Sequence, residues 1–292
     1  MAPGDHRAAA ASVRAEIDRL LAGPGDLTAR YAAFDRRFLV APDRLPAVLA
    51  RAIEGCRAVT REHVTLPPSE GVDVDYVREL SWSAFTRYSG GFRSRIQVNA
   101  GLPLTVDRAL DLACHESYPG HHTIASLLDA RFPGRVEFLV QPLFSPQSLL
   151  HEAAASLAGR LAFPEPERIA FERDDLFPLA GLDPAEASRH VRVGRLVDAL
   201  HGIESDIARQ YLDGGLDFPR AAAALERDAL MPSTEATLKF LNQFRTYAAT
   251  YTIGRDVLQR HLDAQPSSGG DAGRWRAYIN VVADPAQVVP QD

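Results

Sequence analysis

The chain predicts a mainly α-helical fold with one small strand element, and three observations predict it. Apolar residues recur at three- and four-residue spacing over most of the 292 residues, in stretches separated by Gly- and Pro-rich breaks. Two helix starts are written out in full, Ser145-Pro146 and Asp183-Pro184-Ala185-Glu186, each a capping side chain followed by proline in the first turn. Alternation of polar and β-favouring residues is convincing only in Arg93-Ser94-Arg95-Ile96-Gln97-Val98-Asn99.

Taken in order, helices are expected over 6–22, 26–39 and 42–63, with breaks at Gly23-Pro24-Gly25 and Ala41-Pro42-Asp43. Residues 65–74, with Pro67-Pro68 and Glu70-Gly71, read as a loop, and 77–88 as a helix that stops at Ser89-Gly90-Gly91. The strand over 93–99 ends at Gly101-Leu102-Pro103. Thr105 is the expected N-cap of a helix over 106–118, with Asp107 favourable in its first turn, and a second helix follows over 121–131. Ser145 caps a helix over 147–161, the Asp183 start leads one running to about residue 213, and Ser233 caps a long final helix to about residue 262. Gln265-Pro266-Ser267-Ser268-Gly269-Gly270 reads as a flexible break before a short C-terminal piece. No repeat or clear linker divides the chain, so one domain is expected over 1–292: N-terminal helices in 1–72, a core in 73–264 and an extension in 265–292.

Composition narrows the function. An apolar fraction of 46% supports a proper core, and a net charge of −6 argues against a nucleic-acid or anionic-membrane partner. Cys56 and Cys114 cannot build a disulfide framework, which points to a reducing compartment with Cys114 as a buried structural residue. With no apolar signal core at the N-terminus and no 18-residue apolar run, a soluble cytoplasmic protein is expected.

The chemistry is concentrated in His115-Glu116-Ser117-Tyr118-Pro119-Gly120-His121-His122, three imidazoles and a carboxylate around a Pro-Gly break. Neutral imidazole is the commonest metal ligand, and a Glu beside the first His is the arrangement zinc hydrolases use to activate water. The metallopeptidase signature H-E-x-x-H puts both His on one helical face. Here His115 and His121 are separated by about 600° of helical rotation, and His115 and His122 by about 10 Å of rise, so an unbroken helix aims neither pair at one ion. Pro119 removes a donor and clashes with the carbonyl of His115, and Gly120 admits the dihedrals of a kink. The segment reads as H-E-x-x-H with a two-residue bulge, with His121 as second ligand and His122 the alternative one register on.

A hydrolytic zinc site needs three protein ligands and an open position. Glu152, in Leu149-Leu150-His151-Glu152-Ala153-Ala154-Ala155, is the strongest third ligand, because a charge is costly to bury in so apolar a helix without a partner. His151 competes with it, but consecutive helical residues point apart. His201 and Tyr251, on later helices, are candidate donors to a developing oxyanion. Arg255, four residues after Tyr251, and Arg245 are candidates for gripping a substrate carboxylate.

Four segments resemble the DUF885 family of helical zinc metallopeptidase-like proteins. His115-Glu116-Ser117-Tyr118-Pro119-Gly120-His121-His122 looks like the family's H-E-x-x-P-G-H-H block, and Glu152-Ala153-Ala154-Ala155 is similar to E-G-W-A, matching at Glu152 and Ala155. Asp198 and His201 match a block ending in D-x-x-x-H or D-x-x-H, while Ala249, Tyr251, Ile253, Gly254 and Arg255 match A-x-Y-x-I-G-R. The resemblance spans roughly residues 80–262. It implies a zincin-like helical fold, zinc at His115, His121 and Glu152, Glu116 as base, and His201 and Tyr251 near the substrate. Against the family, the chain is expected to be a compact form lacking most of the N-terminal region, suited to a small amino-acid-like substrate, and the family's Gly-Trp after the ligand Glu is Ala153-Ala154 here.

The leading expectation is therefore a zinc-dependent hydrolase of a peptide or other amide bond. Three N/O ligands also admit iron or manganese, which leaves a tailoring enzyme for a small amino-acid-like metabolite as the alternative. A helical binding module with a structural metal is the second alternative, disfavoured because it gives Glu116 no role and expects a closed four-ligand site.

Overall fold

The computed structural model describes residues 3–135, 142–264 and 270–283, and it is mainly helical with a small three-stranded sheet. The N-terminal third carries α1 (Pro3–Leu20), α2 (Leu27–Asp35) and α3 (Leu45–His63). Asp26 caps α2 by accepting from the Ala29 N–H at 2.8 Å, and a 3₁₀ turn over Arg36–Phe38 finishes the segment expected to be helical to residue 39.

The next stretch departs from expectation. Residues read as a loop and then a helix instead form β1 (Gly71–Val77) and β2 (Ala84–Tyr88), which flank β3 (Arg93–Asn99) in the order β1-β3-β2. β1 runs parallel to β3 from Gly71 opposite Arg93 to Val77 opposite Asn99, and β2 runs antiparallel to it from Ala84 opposite Val98 to Tyr88 opposite Ser94. Val72-Asp73-Val74-Asp75-Tyr76 does alternate as strands do, but its partner lies about twenty residues downstream, beyond any local reading. Ile96 and Val98 face inward, leaving β2 as an edge strand against the helices that follow.

Those helices are α4 (Val106–Glu116), α5 (His121–Arg131) and α6 (Pro146–Ala162). Ser145 caps α6 as expected, accepting from the Ser148 N–H at 3.1 Å. Thr105 makes no cap bond to α4; its hydroxyl turns to the Asp107 carboxylate instead. α4 packs between α3 and α6, where Ala158 and Gly159 present a surface low enough for close approach. A Cβ on Gly159 would meet Asp111 Oδ1 at 2.7 Å.

Cys56 of α3 and Cys114 of α4 form a disulfide across this seam, both without exposed surface. The bond removes the ground on which the two cysteines point to a reducing compartment. Closing a loop of 58 residues stabilises by about 4 kcal/mol in the chain-entropy account.

α7 (Glu165–Phe171) continues through a π turn, Glu172–Leu176, into α8 (Phe177–Ala180). Asp183 caps a 3₁₀ turn by accepting from the Ala185 N–H at 3.0 Å, but the expected helix to residue 213 is two: α9 (Ala187–Asp198) and α10 (His201–Leu212). α11 (Phe218–Asp228) and α12 (Thr234–Phe244) follow. The long final helix is likewise divided. Ser233 makes no side-chain cap, Arg245 takes φ 53°, and a 3₁₀ segment over Arg245–Tyr251 leads into α13 (Ile253–Ala264). Residues 265–269 of the expected break lie outside the described residues. α14 (Gly270–Ala283) is no loose extension: its fully buried Tyr278 donates toward the carbonyls of Pro119 and Ala154, each 3.2 Å away.

A buried charge network ties α9 to this frame. His190 lies 3.4 Å from Asp107 and 3.2 Å from Glu172, with Arg168 linking Glu172 and Asp111. Burial opposes the imidazolium, but the two carboxylates outweigh it and push His190 up to about 10. A folded-state pKa above the unfolded value stabilises fully below about pH 6.5 and is lost as pH rises through about 10. His190→Gln is therefore expected to lower Tm most near pH 6, with the gap from wild type narrowing toward pH 10. A gap that stays constant over that range would show His190 to be neutral in the fold.

Candidate metal centre

The centre is built where α4 stops. His115 and Glu116 are its last two residues, and the chain then breaks for four residues before His121 opens α5. Ser117 leaves helical geometry at φ −112°, ψ −91°, its hydroxyl donating back to the Ala113 carbonyl at 2.6 Å. The Tyr118–Pro119 peptide is cis, and Gly120 N–H returns to the Cys114 carbonyl at 3.0 Å. A Cβ on Gly120 would lie 1.9 Å from the His115 carbonyl oxygen and 2.5 Å from that of Cys114. Only glycine fits there.

The break brings His121 beside His115, ring centroids 4.8 Å apart and nearly perpendicular. Glu152 of α6 faces both: Oε2 lies 3.3 Å from His115 Nε2, and Oε1 lies 3.4 Å from His121 Nε2. A tetrahedral ion with bonds of about 2.1 Å holds its ligand atoms about 3.4 Å apart. All three side chains are more than four-fifths covered, and their ligand atoms lie within 4.8 Å of one another. Oε2 of Glu152 is buried and forms no hydrogen bond of acceptable geometry, while Oε1 accepts from the Tyr247 hydroxyl at 2.7 Å.

Electrostatics follow this geometry. Burial works against the Glu152 carboxylate, but His121 and His115 hold it well below the usual range. Burial likewise opposes the His121 cation, which Glu152 and Glu116 nevertheless push up to about 9. His151, the competing ligand, is buried and brought down to about 4 by burial and the charge of His121. His122 points the other way, fully buried, with Nδ1 2.8 Å from Ser94 Oγ and Nε2 3.3 Å from Glu70 Oε2.

Glu116 is buried at the edge of the cluster. The Thr86 hydroxyl of β2 lies 2.6 Å from its Oε2 and 2.9 Å from its carbonyl oxygen. Tyr251 stacks on His115 with ring centroids 6.1 Å apart; burial, then the nearby charge of Glu152, raises its pKa. His201 and Arg255 form a separate group. His201 Nε2 lies 2.7 Å from Asp256 Oδ1, and Arg255 donates to Asp198 Oδ1 and toward His201 Nδ1, each at 2.7 Å. His201 Nδ1 also lies 2.8 Å from the Asp198 carbonyl oxygen, and burial, then the charge of Arg255, lowers the pKa of the ring.

His115, Glu116, His201, Tyr251 and Arg255 all line one cleft of about 1660 Å³. Sequence reasoning missed Thr86, Glu70 and the role of Tyr247. Thr86 was hidden by the helical reading of its strand, and Glu70 by lying in an apparent loop. Tyr247 did carry a signal, since it precedes Tyr251 by one helical turn.

Scanned against family models and against curated proteins, the sequence matches none. Among solved structures, the fold is similar to that of a "putative lipoprotein" from Colwellia psychrerythraea, at a TM-score of 0.62 and 15% identity. The match covers 97% of this chain and 49% of that one, so the chain spans about half the length of its structural neighbour. At that identity the likeness concerns the fold alone.

Proposed function

We propose that this protein is a zinc-dependent hydrolase of a peptide or other amide bond, built on a zincin-like helical core. The observation that carries the reading is the triangle of His115, His121 and Glu152, with Glu116 beside it at the wall of a large cleft. The donor set fits a cation, because the buried Glu152 Oε2, without a hydrogen bond, lies 3.3 Å from one imidazole nitrogen and the other oxygen of the same carboxylate lies 3.4 Å from the second, both at ligand-to-ligand spacing. His115 and His121 would hold zinc through Nε2, and Glu152 through its carboxylate. Bound there, zinc supplies Lewis acidity toward the substrate carbonyl and a lowered pKa for the attacking water.

The chain's own residues do the rest. Glu116, held by Thr86, takes the water's proton on its carboxylate and returns it to the leaving nitrogen. Tyr251 stays protonated and donates to the developing oxyanion. His201 and Arg255 are committed to Asp256 and Asp198, so they shape the cleft wall, and any hold on a substrate carboxylate requires Arg255 to leave Asp198. β2 leaves an edge beside Glu116 along which an extended peptide can pair.

Two imidazoles and one carboxylate are also the donor set of non-haem iron oxygenases, which keeps an iron- or manganese-dependent tailoring enzyme as the second reading. Metal analysis tests both. Near-stoichiometric zinc is expected in the purified protein, lost on His115→Ala, His121→Ala or Glu152→Ala and kept in His6→Ala and His261→Ala. Protein without zinc, or a site emptied by His122→Ala but not by His121→Ala, would overturn the reading.

A further inference from the structure

Glu70 lies outside the metal cluster, at the entry to β1, yet it reaches the break that places His121. Its side chain has no exposed surface. Oε1 accepts from Arg57 Nε at 2.8 Å and Nη2 at 2.6 Å, with Arg61 at 3.2 Å. Oε2 takes the Tyr118 hydroxyl and lies 3.3 Å from His122 Nε2. Residues 118 and 122 flank Pro119, Gly120 and His121, so one carboxylate oxygen grips the break on both sides.

The grip continues into the sheet. His122 Nδ1 lies 2.8 Å from Ser94 Oγ of β3, and its ring packs edge-on to Tyr118 with centroids 4.9 Å apart. One arrangement satisfies every group: Nε2–H donates to Glu70, and the Ser94 hydroxyl donates to Nδ1. His122 is thereby turned away from Glu152, and the helical turn that begins at His121 is set so that the neighbouring ring faces it.

We infer that Glu70 is a positioning residue of the metal centre, clamping Tyr118 and His122 so that His121 is held in register with His115 and Glu152. The inference rests on zinc binding at that triangle. Buried carboxylates that orient a ligand from behind are worth about 10–100-fold in metal affinity, and here the orientation passes through the backbone between two clamped side chains. Arg57 and Arg61 hold the carboxylate from its other oxygen and fix its orientation.

Chelator competition on the full chain gives the zinc Kd directly, without an activity assay. Glu70→Gln and Tyr118→Phe are each expected to weaken zinc binding by about 10–100-fold. The visible spectrum of the cobalt-substituted protein is expected to shift in both, as ligand geometry loosens. Tyr118→Phe removes a single hydroxyl and keeps the test valid where Glu70→Gln fails to fold. Arg51→Lys, remote from the centre, controls for general destabilisation and is expected to leave Kd unchanged. A Kd within three-fold of wild type in folded Tyr118→Phe, with an unchanged cobalt spectrum, would overturn the clamp alone. Wild-type protein that binds no zinc would overturn it together with the hydrolase reading.

Discussion

Glu116→Gln is expected to keep its zinc and lose turnover by about 10²–10⁴-fold, the range for a general acid–base group. The substitution preserves size and removes only the ability to take up a proton. Nothing in the cluster depends on the Glu116 carboxylate for shape: His115 and His121 meet Glu152, and Thr86 can still hydrogen-bond a Gln amide. Metal content and kcat measured on one preparation decide the matter. Loss of metal would make Glu116 a ligand. Retained turnover would remove its role as base and favour the iron- or manganese-dependent reading, in which no carboxylate need activate water.

Gly120→Ala is expected to be among the most damaging single substitutions in the chain. The added methyl would sit 1.9 Å from the His115 carbonyl oxygen and 2.5 Å from that of Cys114, and both are backbone atoms of the helix that carries His115. Neither can swing aside as a side chain can, so the end of α4 must shift or the break must open. Overpacking against backbone belongs with the strained substitutions that cost about 3–5 kcal/mol. In a domain of this size that is roughly 6–10 °C in Tm. Because the displaced carbonyl belongs to His115 itself, zinc content is expected to fall with stability. Wild-type Tm and zinc content in Gly120→Ala would show that the close approach does not exist.

The sequence was most legible where chemistry was dense in it. His115, Glu116 and His121 stood out because three imidazoles around a Pro-Gly break are rare, and the break turned out to place His121 rather than His122 toward His115. Glu152 stood out as a carboxylate on an Ala-rich helix, and His115 and His121 lie opposite it. The amphipathic α3 was readable from its spacing, and α6 from the Ser145-Pro146 start that caps it. The misses share a cause. β1 and β2 are short and owe their existence to pairing with β3, so the helical reading of 77–88 had no local contradiction. Thr86 then vanished with its strand, and Glu70 with the apparent loop that leads into β1. The long helix drawn to residue 262 failed at Arg245, whose positive φ no side-chain pattern announces. Arg255, grouped with Tyr251 by helical spacing, turned instead to Asp198, because the 3₁₀ segment ends at Tyr251 and a new helix starts beyond it.

The cross-link between Cys56 and Cys114 bears on how the centre matures. Both sulfurs lie in a seam closed to solvent, and Cys114 immediately precedes His115. Thiol–disulfide exchange needs a thiolate to reach a sulfur, so a reductant can act only when α3 and α4 part. Its rate on the native protein therefore clocks the breathing of that seam. The same logic applies in reverse at birth: an oxidant must meet these thiols before α3 and α4 come together, while His115 is still unplaced. Oxidation then precedes the closing of this seam, and the placing of His115 opposite Glu152 follows it.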